Sequence, residues 1–301
     1  MAQTALIAAL GTFDGVHLGH AFIIEELKRE AQTIGMVPAI VTFSSHPLAV
    51  IRPERAPELL TPLHSKLKML RERAKTIVLD FDSTMRSMSA YDFMTMLRDA
   101  YNVHAMLLGY DTRFGHDRPT EFADYVALGA KAGIDIRKAG EYIGEDTPIC
   151  SSRIRTALKN GETDLANRML GHRYTFAGTV THGKQLGRTI GYPTANIAPE
   201  CDRQLVPAGG VYAVYAKIEG ISTVFPAMLN IGTRPTVDNT PEAPRTLEVH
   251  ILDFADNIYG KRIEIEFIDR LRDECRFNSL DELKAQLGRD AEATRSRLGI
   301  R

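Results

Sequence analysis

Gly11-Thr12-Phe13-Asp14-Gly15-Val16-His17-Leu18-Gly19-His20 follows a short apolar run, Ala5 to Leu10, that reads as a buried strand. It precedes an apolar-periodic segment, Phe22 to Ile34, that reads as a helix. The stretch is therefore a glycine-rich strand-to-helix turn carrying two histidines three residues apart. Glycines let the backbone adopt positive φ and come close to a ligand. The helix start offers free N–H groups and the positive end of the dipole, which suit a phosphate. His17 and His20 on the first turn share a face and point at that phosphate. Neither is a nucleophile beside a base. The chemistry this suits is charge stabilisation on a nucleotide's phosphates during direct displacement, with Gly11, Phe13, Asp14 and Gly15 lining the ATP site. A tight turn with two surface histidines is the plainer reading, and the strand, the Phe-Asp-Gly lead-in and the helix together weigh against it.

The chain has 301 residues, which favours two domains. Apolar content of 44% and charged content of 25% are those of a globular protein that works in water. A net charge of -1 gives no sign of a nucleic-acid or membrane surface. Cys150, Cys201 and Cys275 are far apart with no C-x-x-C pair, against a disulfide framework or structural zinc and in favour of a reducing compartment. The N-terminal apolar run breaks at Gly11, too short for a signal peptide, and no run reaches the ~20 residues of a membrane span. The expectation is a cytoplasmic protein, monomeric or weakly homo-oligomeric, with small-molecule partners and neither nucleic acid nor membrane.

Strands then alternate with helices: Val37 to Phe43, Thr76 to Phe81, Val103 to Leu108 and Ile134 to Lys138 are strands, and helices run from Thr61-Pro62 to Arg73, Ser89 to Tyr101 and Glu121 to Ala132. That alternation predicts a doubly wound, mostly parallel sheet. The second strand runs into Ser44-Ser45-His46-Pro47, at the sheet edge where such folds bind ligands. Gly109 to Arg118 follows the fourth strand; in it Asp111 offers a carboxylate to adenine or ribose, and Arg113 and Arg118 offer guanidinium groups to phosphate. Alone, this segment reads as a solvated loop. Ile149-Cys150-Ser151-Ser152-Arg153-Ile154-Arg155 opens a helix that Ser151 or Ser152 caps, a second anion site with Arg155 on its first turns.

The pattern changes after about residue 170. Tyr174 to Val180, Gly210 to Ile218, Thr223 to Ile231, Thr246 to Asp253 and Arg262 to Ile268 alternate with Gly/Pro turns, and helical patterning returns only from Leu280 to Leu298. This predicts a small antiparallel β-barrel with a terminal helix. The domains are thus 1–170 and 171–301, an α/β plus β architecture. Gly178 to Lys184 approaches a Walker A loop, but Gln185 replaces the magnesium-holding Ser/Thr and no helical run follows. The better unit is Gly183 to Asn196. Gly183, Gly187 and Gly191 recur every four residues, with Lys184 and Arg188 between them, a cationic flap able to wrap phosphates. Thr194 and Asn196 then place a hydroxyl and an amide side by side, both oxygen donors for Mg2+. Glu248 lies on a strand with apolar neighbours on the other face, a carboxylate aimed into the barrel mouth and able to take a proton from an attacking hydroxyl. Alone it reads as a surface glutamate.

The histidine stretch resembles the G-x-F-D-G-x-H-x-G-H signature of the nucleotidyltransferase superfamily. With Thr42 to Pro47, Gly109 to Gly115 and Ser151 to Arg155, in that order, the first half resembles the adenylyltransferase half of bacterial bifunctional riboflavin kinase/FAD synthetases. Thr112 departs from the usual Phe, and Ser44-Ser45 from an acidic residue and proline. The second half carries Gly187 to Asn196, Gly210 to Ala213, Asn230 to Thr236, Glu248 to Phe254 and Leu271 to Phe277, which resemble the riboflavin kinase module. The resemblance implies phosphorylation of riboflavin from MgATP, then AMP transfer from a second ATP to FMN, giving FAD. It implies Glu248 as general base, Thr194 and Asn196 at Mg2+ and ATP phosphate, His17 and His20 at the α-phosphate, Ser152 and Arg155 at the β- and γ-phosphates, and His46 and Asp111 positioning nucleotide or flavin.

Overall fold

The computed structural model describes residues 4–110, 112–142, 148–182, 187, 190–233 and 245–300. The chain divides into two compact units, Met1–Ser151 and Ser152–Arg301.

The first unit is a five-stranded sheet in the order β3-β2-β1-β4-β5, every neighbouring pair parallel. The strands are β1 (Leu6–Leu10), β2 (Val37–Phe43), β3 (Lys75–Leu79), β4 (Val103–Leu108) and β5 (Asp135–Lys138). The helices are α1 (Leu18–Ile34), α2 (Leu48–Ile51), α3 (Leu63–Arg71), α4 (Ser83–Ser87), α5 (Ala90–Tyr101) and α6 (Phe122–Ala132). Side chains alternate across β1. Ile7 and Ala9 join Ile24, Leu27 and Ala31 of α1 and Leu70 of α3. Leu6 and Ala8 join Phe93, Met94 and Leu97 of α5 and Tyr125 and Ala132 of α6. The sheet is therefore covered on both faces, as doubly wound folds require. Strand order reverses between β1 and β4, so the loops leaving these two strands frame the crevice where such sheets take ligands.

The second unit opens with α7 (Ser151–Lys159), which the division between units crosses at its first residue, and α8 (Thr163–Leu170). These helices lean on the strands that follow: Asn167 Nδ2 donates to Phe267 O at 2.9 Å, and the Ala208 amide donates to Leu158 O at 3.0 Å. The strands β6 (Thr175–Thr181), β7 (Ala195–Pro199), β8 (Gly210–Ile218), β9 (Val224–Thr233), β10 (Arg245–Ile251) and β11 (Arg262–Arg272) close a barrel in the order β10-β7-β6-β11-β8-β9, antiparallel throughout. Phe176, Val180, Ile197, Leu229, Ile231, Leu247, Val249, Ile263, Ile265 and Phe267 are buried at every second strand position and fill the interior. The last helix, α9 (Leu280–Leu298), is capped by Ser279, whose hydroxyl accepts from the Glu282 amide. It packs on the outer face of the barrel, where Ala291 meets Met228 and Leu252.

Candidate active sites

In the first unit the turn after β1 is wound tightly. Gly15 has φ 84°, and Phe13 and Val16 have φ 50° and 39°, a left-handed backbone that a β-branched residue rarely adopts. Several contacts hold this strain. The Gly11 amide extends the pairing with β2 by donating to Val41 O at 3.1 Å. The Asp14 carboxylate accepts from the amides of Leu60 and Thr61 at 3.0 and 3.1 Å. Ser151 Oγ donates to Asp14 O at 3.0 Å, tying the start of α7 to the turn. Asp14 therefore shapes the site through the Leu60–Thr61 backbone, a carboxylate 4% exposed that accepts from these amides.

His17 caps α1, its Nδ1 accepting from the His20 amide at 3.3 Å. The two imidazoles stack with centroids 3.6 Å apart and planes 17° apart. Phe13 leans on His20 at 5.0 Å. The predicted shared face is therefore present, beside the switch point. His20 is held well below the ordinary imidazole range, first by burial, then by the neighbouring charges of His17 and Lys66.

His46 Nδ1 accepts from the Leu48 amide at 3.2 Å and starts α2. Arg113 is exposed and donates to Thr112 O at 3.0 Å. Phe114, two residues past Thr112, packs on Tyr125 with centroids 4.7 Å apart, and the Tyr125 hydroxyl holds both its amide and its carbonyl. Ser152 and Arg155 lie on α7 in the second unit, Ser152 O accepting from Thr156 Oγ1 at 3.2 Å. Asp111 lies outside the described residues.

In the second unit strand register places one polar row on the outside of the barrel. Asn196 of β7 pairs with Glu248 of β10, which pairs with Asn230 of β9. Paired residues share a face, so the carboxylate stands between two amides. Leu247, Val249 and Ile251 take the inside, which turns Glu248 outward beneath α9. The expectation that it points into the barrel mouth is corrected by this alternation. Glu248 instead lines a cavity of about 230 Å³ with Asn230, Thr194, His250, Glu274 and Leu287. A second cavity of about 520 Å³ is lined by Thr194, Val249, Ile251, Asn257 and the stacked pair His182 and Tyr259, centroids 3.8 Å apart. Thr194 belongs to both walls.

Gly187 and Gly191 frame a turn in which Gly187 O accepts from the amides of Ile190 and Tyr192, at 3.2 and 2.8 Å. A Cβ on Gly187 would sit 2.1 Å from Tyr192 O, so no other residue fits. Gly183, Lys184 and Arg188 lie outside the described residues. Among the described residues no cluster of three His, Cys, Asp or Glu side chains could hold a metal. The hydroxyl and amide of Thr194 and Asn196 suit a hard cation that keeps its remaining sites for water and phosphate oxygens. The chain's sequence reading left Asn230 and Lys66 without roles. Asn230 interrupts Leu229 and Ile231 as Glu248 interrupts Leu247 and Val249, and Lys66 sits one helical turn before buried Leu70, a lysine inside an apolar stripe.

A doubly wound sheet with paired histidines at its switch point, joined to a barrel whose outer carboxylate lies between amides, defines a two-module nucleotide-dependent transferase. The FAD synthetase family model matches residues 1–153 and the riboflavin kinase family model residues 170–298. A bifunctional riboflavin kinase/FMN adenylyltransferase of Escherichia coli (strain K12) is 36% identical over 302 residues, 99% of this chain and 94% of that protein. One of Bacillus subtilis (strain 168) is 38% identical over 296 residues, 96% and 92% of the two chains. A crystal structure described as a macrolide-efflux protein from Streptococcus pneumoniae superposes with a TM-score of 0.86 at 31% identity, covering 98% of this chain and 95% of that one. The chain belongs to the bifunctional riboflavin kinase/FMN adenylyltransferase family.

Proposed function

We propose that this chain makes FAD from riboflavin in two steps, one in each unit. The barrel phosphorylates the riboflavin 5'-hydroxyl from ATP. The sheet unit then transfers AMP from a second ATP to FMN and releases pyrophosphate. The observation that carries the reading is Thr194 on the shared wall of two cavities, next to the row Asn196–Glu248–Asn230. The larger cavity suits a nucleotide, with the His182–Tyr259 stack at its rim. The smaller suits the flavin alcohol, whose hydroxyl would meet Glu248 as base. Thr194 and Asn196 would hold Mg2+, which when bound neutralises charge on the transferred phosphate. Gly183, Lys184, Gly187, Arg188 and Gly191 would form the phosphate flap.

In the sheet unit His17 and His20 would donate to the α-phosphate, with Ser152 and Arg155 toward the departing pyrophosphate. Gly11, Phe13 and Gly15 give this turn its close backbone. His46, Asp111 and Arg113 are assigned to nucleotide or flavin positioning on the motif match alone. No covalent enzyme intermediate is needed in either step. The functional boundary is placed near residue 171, with α7 and α8 as the joint. Among the described residues no helix is long and apolar enough to cross a membrane, and we assign the chain to the cytoplasm. The test is incubation with riboflavin, ATP and Mg2+ and separation of the flavins over time. FMN first and FAD after it is the expected result; neither product would overturn the assignment.

A further inference from the structure

Lys66 is 8% exposed on α3. Its ammonium donates to Thr12 O at 3.1 Å and to Phe43 O at 2.9 Å. These carbonyls lie just past β1 and at the end of β2, two neighbouring strands at the mouth of the crevice. Asp14 returns the tie through the Leu60 and Thr61 amides, immediately before α3. The histidine turn and α3 therefore hold each other from both sides. An ammonium is costly to bury, and an apolar side chain of similar length would pack a helix more cheaply. Packing alone does not ask for a cation at this position.

We propose that Lys66 is a positioning residue of the adenylyl-transfer site: its two carbonyl contacts fix the histidine turn from α3 and bring a positive charge to it. The proposal rests on the reading of His17 and His20 as that site. His20 Nδ1 is buried with no hydrogen-bond partner among the described residues, so the ring has nothing on that side to stabilise a second proton. Burial, His17 and Lys66 all disfavour the imidazolium. Asp14 is the opposing charge on Lys66, whose own pKa burial lowers. The charged and titratable groups in play are thus His17 and Asp14 from the turn and Lys66 from α3. A His20 whose surroundings disfavour the imidazolium presents its N–H to a phosphoryl oxygen.

Two variants of the full chain separate charge from packing. Lys66→Gln keeps N–H donors and drops the charge; Lys66→Arg keeps the charge. FMN adenylylation is measured against pH, with riboflavin phosphorylation in the same preparation as the internal control. In Lys66→Gln the acid limb of kcat/KM should move up by about half a pH unit or more, because His20 becomes easier to protonate. Its kcat should fall more than its KM for ATP rises, and Lys66→Arg should keep the wild-type limb. A wild-type limb in Lys66→Gln would overturn the proposal. So would a loss of activity in both variants with no movement of the limb, which assigns Lys66 to packing. Should Lys66→Gln not fold, Lys66→Met in its place would have to show the same displaced limb. His20→Ala runs in parallel: activity within about threefold of wild type would overturn the histidine site itself. An inactive His20→Ala beside two wild-type Lys66 variants overturns the role of Lys66 alone.

Discussion

Glu248 and Asp14 are both carboxylates, one in the middle of a strand and one in a turn, and their surroundings differ. Asp14 spends its charge on backbone amides 46 and 47 residues away in sequence. Glu248 has no ion-pair partner among the described residues and faces a cavity. Glu248→Gln keeps shape and polarity but removes the base. Riboflavin phosphorylation should fall by roughly 10²-fold or more, with FMN adenylylation retained, in assays started separately from riboflavin and from FMN. The placement of Glu248 opposite Leu247 and Val249 was legible because strand alternation is local, while its role as base came from the resemblance alone. The placement of Asp14 was not legible, because its partners belong to a segment that only the fold brings near. His20 adds a pH dependence of stability. Its folded pKa lies below that of a free imidazole, so below about pH 6.5 the unfolded chain takes up a proton that the folded one refuses. Stability should drop as pH falls from there until the folded pKa is passed, and His20→Gln should flatten that slope in urea unfolding of the full chain.

Among elements, α9 is held in part by an ion pair whose carboxylate is buried. Asp290 is 3% exposed and accepts from Arg272 Nε at 3.0 Å, from Arg272 Nη2 at 2.7 Å and from Gln286 Nε2 at 2.8 Å. Arg272 ends β11 and lines the smaller cavity, so the pair clamps the helix over that cavity, where we propose the flavin binds. Asp290→Ala leaves the guanidinium partly buried without its counter-charge. It should cost about 3 kcal/mol in urea unfolding and raise the KM for riboflavin, leaving FMN adenylylation near wild type. Most elements were legible: β2, β4, β8 and α9 fall where hydrophobic period and caps place them. The strand β7 was not. Ala195-Asn196-Ile197-Ala198-Pro199 offers one large apolar side chain and ends in proline, and its pairing with β6 and β10 alone makes it a strand.

At the scale of the whole molecule, the two chemistries sit on two folds with separate cores. A Glu248→Gln chain supplied with FMN should still make FAD, and a His20→Ala chain supplied with riboflavin should accumulate FMN. Mixing the two variants should restore FAD formation from riboflavin if FMN passes through solution, and chromatography of the flavins reads the result. The alternation of strands and helices announced a parallel sheet, and the run of short strands announced a barrel. Strand order in the sheet and closure of the barrel came only with the structure, since both depend on pairings between residues far apart in sequence.

The row at Glu248 lies where the barrel is sewn shut. Strands β7 and β10 meet over just two register pairs, Glu248 with Asn196 and Val249 with Ala195, whereas β10 and β9 share seven. The row proposed as the kinase centre therefore does not exist on any single hairpin. It is assembled by the shortest seam among the described residues, and a chain that has formed all its hairpins but not this stitch would carry every residue of the proposed site without the site.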